Sequence, residues 1–296
     1  MRNTSVTQIA EPFQKLFFRV FFVYFVVENK ILILGANGQI GTQLKKTLSP
    51  LGKIKACTRQ EANLENLDQL KKLIQNYKPQ IIANAAAYTA VDQAESEPKK
   101  AYRINSEAVA VIAQESKKLN ALLVHYSTDY IFDGNQTEPY TETDQPNPQS
   151  IYGKSKWKGE QAIKESGAEY LIFRTSWVYA SKGKNFVNTI LKLAKERKEL
   201  NIIDDQIGAP TIASLIAKIT AQAIEKKIQS GTYNLTASGS TSWHGFAEQI
   251  LKYATQQHNN NSKFKIKHLK LKKVSTEQYP QSAPRPKNSK LNIRTY

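Results

Sequence analysis

Ile31-Leu32-Ile33-Leu34-Gly35-Ala36-Asn37-Gly38-Gln39-Ile40-Gly41 is the stretch whose reading decides the fold. An uncharged aliphatic run feeds three glycines at three-residue spacing, and Ile40, Leu44 and Leu48 then recur at helical spacing. Strand, tight turn and helix start, in that order, are how a doubly wound sheet cradles a dinucleotide pyrophosphate. Gly35 allows the turn, Gly38 lets the backbone approach the phosphates, and Gly41 lets helix and strand pack closely. The G-x-x-G-x-x-G spacing is one residue longer than the G-x-G-x-x-G fingerprint. Glycines alone would fit plain turns equally well; the strand before them and the helix after them favour a nucleotide site.

Working outward, Lys53 to Thr58 reads as a second strand. In dinucleotide folds its end meets the adenosine ribose, where a carboxylate holds the 2′-hydroxyl. Here that end is Cys57-Thr58-Arg59-Gln60. Arg59 suits a 2′-phosphate, which favours NADPH, with an exposed surface arginine as the alternative. Asn66 to Tyr77 reads as a helix, and Ile81 to Ala87 as a third, buried strand with a small-residue tail. Pro98 opens a helix running towards Lys118. Leu122 to Asp129 is a fourth strand ending in hydroxyls and a carboxylate, at the strand end where open α/β sheets bind ligands.

A loop over Gly134 to Pro148 leads into Ser150-Ile151-Tyr152-Gly153-Lys154-Ser155-Lys156. Tyr152 and Lys156, four apart, share one face of a helix. Their spacing carries no weight in a lysine-rich chain. Their position does, after a fourth strand that bears Ser127 and Thr128. An exposed helical Tyr and Lys is the alternative. Further on, Tyr170 to Arg174 is a strand, Asn185 to Arg197 a helix, Ala213 to Ile228 a helix and Thr232 to Leu235 a strand. Ser242 caps a helix through Tyr253, and Phe264, Ile266, Leu269 and Leu271 among lysines suggest a half-buried edge.

The expected fold is therefore α/β: a Rossmann-type doubly wound parallel sheet over residues 30–177. A smaller C-terminal α/β substrate-binding region follows over 178–296, with some segments returning to the sheet. Residues 1–29 read as an atypical N-terminal extension. Its apolar run from Leu16 to Val27 is too short and interrupted to span a bilayer, which argues against stable membrane insertion. Nor does it carry the small-residue cleavage site of a signal peptide.

The 296 residues carry a formal net charge of +17, with 34 lysines and 8 arginines. The scarcity of arginine, and the lack of a recognition-helix or RNA-binding aromatic signature, argue against nucleic acid as partner. A solvated lysine surface that steers anionic small ligands fits better. One cysteine excludes an internal disulfide and suits a cytoplasmic setting. With four histidines and no ligand spacing, no metal is expected.

Seven segments resemble the extended short-chain dehydrogenase/reductases and, among them, the dTDP-4-dehydrorhamnose reductase family. They are Gly35 to Gly41, Asn84 to Pro98, His125 to Asp133, Tyr152 to Lys156, Phe173 to Tyr179, Asp205 to Thr211 and Arg285 to Ser289. The resemblance implies hydride transfer from NADPH or NADH to the C4 ketone of dTDP-4-dehydro-L-rhamnose. The product is dTDP-L-rhamnose for cell-surface polysaccharide. It implies Thr128, Tyr152 and Lys156 as catalytic residues, with Tyr152 as proton donor and Lys156 lowering its pKa while binding the nicotinamide ribose. It implies Asp129 and Trp177 as sugar-nucleotide contacts; a buried core indole is the alternative for Trp177. It adds Gln39, Ile40, Asn63, Leu64, Ala87, Tyr88, Thr89 and Tyr126 to the glycines as cofactor contacts. Asn63 stands where the family usually has Asp. Mg²⁺ is not expected, because Gln43 and Ser214 stand where some members have acidic residues. Relatives continue through a final helix after the segment matching Ser289 to Asn292; its loss would expose core surface, weaken the contacts of a homodimer or leave the protein inactive. Another sugar-nucleotide reductase or epimerase, or a non-catalytic regulatory subunit on the same fold, remain as alternative readings.

Overall fold

The computed structural model describes residues 29–258 and 269–293. The apolar run Leu16 to Val27, Phe264 and Ile266 lie outside the described residues. Up to Thr175 the chain alternates strand and helix. Its elements are β1 (Lys30–Leu34), α1 (Gln39–Thr47), β2 (Lys53–Cys57), α2 (Leu67–Tyr77) and β3 (Ile81–Asn84). Then come α3 (Val91–Ser96), α4 (Pro98–Tyr102), α5 (Ala108–Leu119), β4 (Leu122–Thr128), α6 (Ile151–Glu165) and β5 (Tyr170–Thr175). Beyond these follow β6 (Val178–Tyr179), α7 (Phe186–Glu196), β7 (Glu199–Ile203), β8 (Ile207–Gly208), β9 (Thr211–Ile212) and α8 (Ala213–Glu225). The last are β10 (Gly231–Asn234), β11 (Thr241–Ser242), α9 (Trp243–His258) and β12 (Lys270–Val274).

Six strands form one parallel sheet in the order β10-β5-β4-β3-β1-β2. The order reverses between β1 and β3, and a crevice opens beyond the carboxyl ends of strands at such a switch. Side chains alternate across the sheet, so the aliphatic run of β1 serves both faces. Leu32 and Leu34 pack with Leu70, Ile74, Ile112 and Ile163 of α2, α5 and α6. Ile31 and Ile33 pack with Leu44, Leu48 and Ile216 on the side of α1 and α8. Burial on both faces explains why β1, β3 and β4 read as unbroken apolar runs. Thus α8 and β10, late in the chain, are built into the first sheet. A separate apolar cluster holds α7 against α9, with Leu200 of β7 and Leu271 of β12 packed on it. There β12 pairs in parallel with β7, and Lys272 and Lys273 turn out to Glu199 and Asp204.

The boundaries depart from the sequence reading where polar side chains intervene. The third strand stops at Asn84, where its Oδ1 accepts from Ala86 N–H and bends the chain away. The helix expected from Pro98 to Lys118 is interrupted by a π turn at Arg103–Glu107. Asn105 of that turn is fully buried and accepts from Tyr88 N–H, while its amide donates to Tyr88 O and to Ser155 Oγ. Helix α3 has no counterpart in the sequence reading. Ser242 accepts from Gly245 N–H, capping α9, which runs on past Tyr253 to His258.

The last described segment stitches remote loops together. Arg285 pairs with Asp92 of α3 at 2.7 Å. Asn288 donates its amide to Gln136 O and Glu138 O, Ser289 N–H bonds Ile207 O, and Tyr140 N–H bonds Lys290 O.

Candidate active site

A cleft of about 700 Å³ runs along the carboxyl ends of the strands. Its floor is the glycine turn. Gly35 has φ +77°, and α1 begins at Gly38 with no side-chain cap and no acidic residue in its first turn. The first N–H groups of α1 therefore lack intrahelical partners and carry the positive end of the helix dipole, as an anion-binding cradle requires.

All the sequence-expected residues but one line this cleft. From the first part of the chain come Gly35, Gly38, Gln39, Ile40, Arg59, Asn63, Leu64, Ala87, Tyr88 and Thr89. From later in the chain come Tyr126, Thr128, Asp129, Tyr152, Lys156 and Trp177. The exception is Gly41, expected as a cofactor contact. A Cβ there would lie 2.1 Å from Gly35 O, so Gly41 serves the close packing of helix on turn expected of it and makes no contact in the cleft. Arg59 sits exposed at the cleft wall in an ion pair with Glu65. Asn63 accepts from Glu65 N–H, which fixes the loop after β2. Tyr126 directs its hydroxyl away, to Thr220 Oγ1 at 2.9 Å, leaving the backbone as its contribution.

Tyr152 and Lys156 lie one turn apart on α6, whose start Ser150 caps by accepting from Gly153 N–H. Burial pushes the Tyr152 phenol up to about 12, and a hydrogen bond with Thr128 offsets part of the rise. Thr128 also donates to Asp129 Oδ1 at 2.9 Å. Burial pushes the Asp129 carboxyl up to about 6, against hydrogen bonds from Ser289 and Thr128. Lys156 is 1% exposed and its amine is pulled down to about 8, again by burial, with Glu160 acting in the opposite sense. Its Nζ bonds Tyr126 O at 2.6 Å and His125 Nε2 at 3.1 Å. The expectation that Lys156 lowers the Tyr152 pKa is not met in this arrangement: desolvation of the phenol outweighs any help, and the ammonium is engaged with β4.

Three features escaped the sequence reading. Trp243, at the start of α9, stacks its ring on Trp177 at 3.5 Å between centroids and 7° between planes. His125 lies fully buried beneath Lys156. Ser127 Oγ and Thr175 Oγ1 are buried at the cleft without hydrogen-bond partners. Because an unpaired buried hydroxyl is costly, those two atoms suit a ligand rich in hydroxyls or phosphate oxygens. An uncapped helix start, a left-handed glycine turn and free hydroxyls together fit a nicotinamide dinucleotide beside a polar substrate. Among the described residues no group of three or more His, Cys, Asp or Glu is placed to hold a metal ion. No helix among them is long and apolar enough to cross a membrane.

Comparison with known proteins points the same way. The family described as "RmlD substrate binding domain" matches residues 29–296. The dTDP-4-dehydrorhamnose reductase of Burkholderia thailandensis is 44% identical over 271 residues, covering 89% of this chain and 90% of that protein. That of Escherichia coli K12 is 43% identical over 274 residues, covering 90% of each. The crystal structure of dTDP-4-dehydrorhamnose reductase from Bacillus anthracis, in complex with NADP, superimposes with a TM-score of 0.83 at 39% identity. It covers 90% of this chain and 91% of that one. This chain belongs to the dTDP-4-dehydrorhamnose reductase family.

Proposed function

We propose that this protein reduces the C4 ketone of dTDP-4-dehydro-L-rhamnose to dTDP-L-rhamnose, using NADPH or NADH, as a step in making rhamnose-containing surface polysaccharide. The convergence of Thr128, Tyr152 and Lys156 on the cleft that the glycine turn floors is the observation that carries this reading. A reduced nicotinamide dinucleotide, when bound, supplies the hydride. The rest is the work of this chain. A ketone that accepts hydride develops negative charge on its oxygen and needs a proton. Tyr152 holds that proton: with its phenol pushed up to about 12 it is fully protonated at neutral pH. Thr128 lines the same cleft and is placed to steady that oxygen once its hydroxyl turns from Asp129. Lys156 anchors the cofactor ribose and offsets the phenolate that donation leaves. Asp129 and the Trp177 face bind the sugar nucleotide. The start of α1 takes the pyrophosphate, and Arg59 favours a 2′-phosphate once released from Glu65.

A sugar-nucleotide substrate and a single cysteine support a cytoplasmic setting, and a homodimer is the assembly we expect. The direct test is to mix purified protein with NADPH and enzymatically made dTDP-4-dehydro-L-rhamnose and follow the nicotinamide absorbance. Loss of absorbance that needs both protein and sugar nucleotide supports the reading. No loss, with NADPH bound, overturns it.

A further inference from the structure

The turn after β2 holds two carboxylates where an anionic cofactor group would dock. Glu61 Oε2 accepts from Thr58 N–H at 2.8 Å and from Thr58 Oγ1 at 3.1 Å. Those are the two donors with which the first residue beyond the strand could greet an anion, and Glu61 occupies both. Three cations line the cleft among the described residues: Lys156 on α6, Lys184 in the loop before α7, and Arg59. Arg59 alone stands beside β2, and it is engaged as well, since its Nη2 donates to Glu65 Oε2.

Glu65 is delivered to that place by its backbone. Its N–H donates to Asn63 Oδ1 at 3.1 Å, and its carbonyl accepts from Arg103 Nε at 3.0 Å. Leu64 before it is buried, and Asn66 after it caps α2 by accepting from Gln69 N–H. Arg103 directs its Nη1 to Glu107 at 2.6 Å, so it leaves the Glu65 carboxylate to Arg59. A loop pinned on both sides of Glu65 keeps that carboxylate at the cleft wall whether or not a ligand is present.

We propose that Glu65 is a specificity-determining residue for the dinucleotide: its carboxylate competes with the 2′-phosphate of NADPH for Arg59 and so narrows the preference for NADPH over NADH. An entering 2′-phosphate has to displace Glu65 from the guanidinium or share it, and like charges held that close repel. A 2′-hydroxyl brings no charge and leaves the ion pair standing. The pair is exposed on its Arg59 side and therefore weak, whereas a phosphate takes a guanidinium in strong charge-assisted bonds. NADPH accordingly binds, but less tightly than Arg59 alone would hold it. The proposal rests on the reading above, that the cleft takes a nicotinamide dinucleotide with its adenosine ribose at the end of β2.

The test titrates the full-length protein with NADPH and with NADH at one ionic strength, without sugar nucleotide, following nicotinamide fluorescence. Glu65→Gln keeps the side-chain length and removes the charge. Its Kd for NADPH should fall about 3- to 10-fold while that for NADH stays within about twofold. Arg59→Gln should weaken NADPH and spare NADH. In Arg59→Gln/Glu65→Gln the gain from the second substitution should shrink, because the carboxylate then has little to compete for. Glu65→Ser, which removes the carboxylate outright, should tighten NADPH as Glu65→Gln does, and it decides the matter if the glutamine variant does not fold. An NADPH constant that is unchanged or weaker without the carboxylate overturns the proposal. Equal tightening of both dinucleotides, the mark of a loosened loop, overturns it too. NADH binding beside an unmoved NADPH constant refutes the role of Glu65 alone, whereas failure of the wild-type protein to bind either dinucleotide refutes the reductase reading with it.

Discussion

The indole of Trp177 lies flat against that of Trp243, and Gly208 closes in behind it. A Cβ on Gly208 would come within 2.5 Å of the Trp177 ring. Trp177 itself stands in the left-handed region at φ +47°, a conformation that bulky residues adopt only when their surroundings hold them there. Trp243 is held in turn by Gln206, which accepts from its Nε1, and by the Phe186 ring at 4.6 Å. The aromatic wall of the cleft is thus a laminate of two side chains brought from distant parts of the sequence.

Trp243→Ala removes the backing of that wall while leaving the glycine turn untouched. Stacked aromatic pairs contribute about 0.5–1.5 kcal/mol beyond burial, so KM for the sugar nucleotide should rise roughly 2- to 10-fold. NADPH affinity should hold. Steady-state kinetics and a fluorescence titration with NADPH separate the two, and a change confined to the dinucleotide would show the wall is wrongly placed.

Tyr152→Phe deletes the proton donor and little else. General acid catalysis is worth about 10²–10⁴-fold, so kcat should fall by at least the lower figure while the Kd for NADPH stays near wild type. Turnover of the variant at an undiminished rate would show that the proton comes from elsewhere.

Asp129 links stability to acidity. Its carboxyl stands at about 6 in the folded protein, above the value near 3.9 of an unfolded chain. The folded state therefore binds the proton more tightly, and this contribution is complete below about pH 4 and lost as pH rises through 6. The loss amounts to about 3 kcal/mol. Urea unfolding at pH 4.5 and 7 should show a larger fall for wild type than for Asp129→Asn. Equal falls would mean that the carboxyl titrates normally.

Gly41 and Gly38 look alike in the sequence and should behave differently. Alanine at 41 drives its Cβ into Gly35 O, whereas at 38 the nearest atom, also Gly35 O, is 3.2 Å away. Gly41→Ala should displace α1 and weaken both stability and NADPH binding. Gly38→Ala should cost little stability and act on NADPH affinity alone. Thermal unfolding and dinucleotide titration of the pair check this.

What was legible in the sequence was local. The β1 run, the glycine turn and the Ser242 cap declare themselves within a dozen residues, because strand and helix periodicities and turn chemistry act at that range. The parallel, doubly wound character of the sheet and the shared face of Tyr152 and Lys156 followed, whereas the strand order came only with the structure. Other features depend on convergence across the fold. The π turn at Arg103–Glu107 exists because Asn105 is called inward to Tyr88 and Ser155, partners 17 and 50 residues away. The end of β3 is set by one side chain, Asn84, folding back on its own backbone. Trp243 gave no signal, since an aromatic residue at the head of an amphipathic helix reads as core. His125 lay inside a quoted motif, yet only the sheet register, which sets it beside Asn84, reveals what its ring faces.

The segment from Arg285 to Leu291 behaves as lacing. It fastens α3, the stretch around Gln136 to Tyr140, and the turn at Ile207, which have no direct covalent neighbourhood with one another. A protease nick or frameshift upstream of Arg285 would unfasten all three at once, leaving the nucleotide half of the molecule intact. Such a clipped protein should still grip dinucleotide while its sugar side gapes.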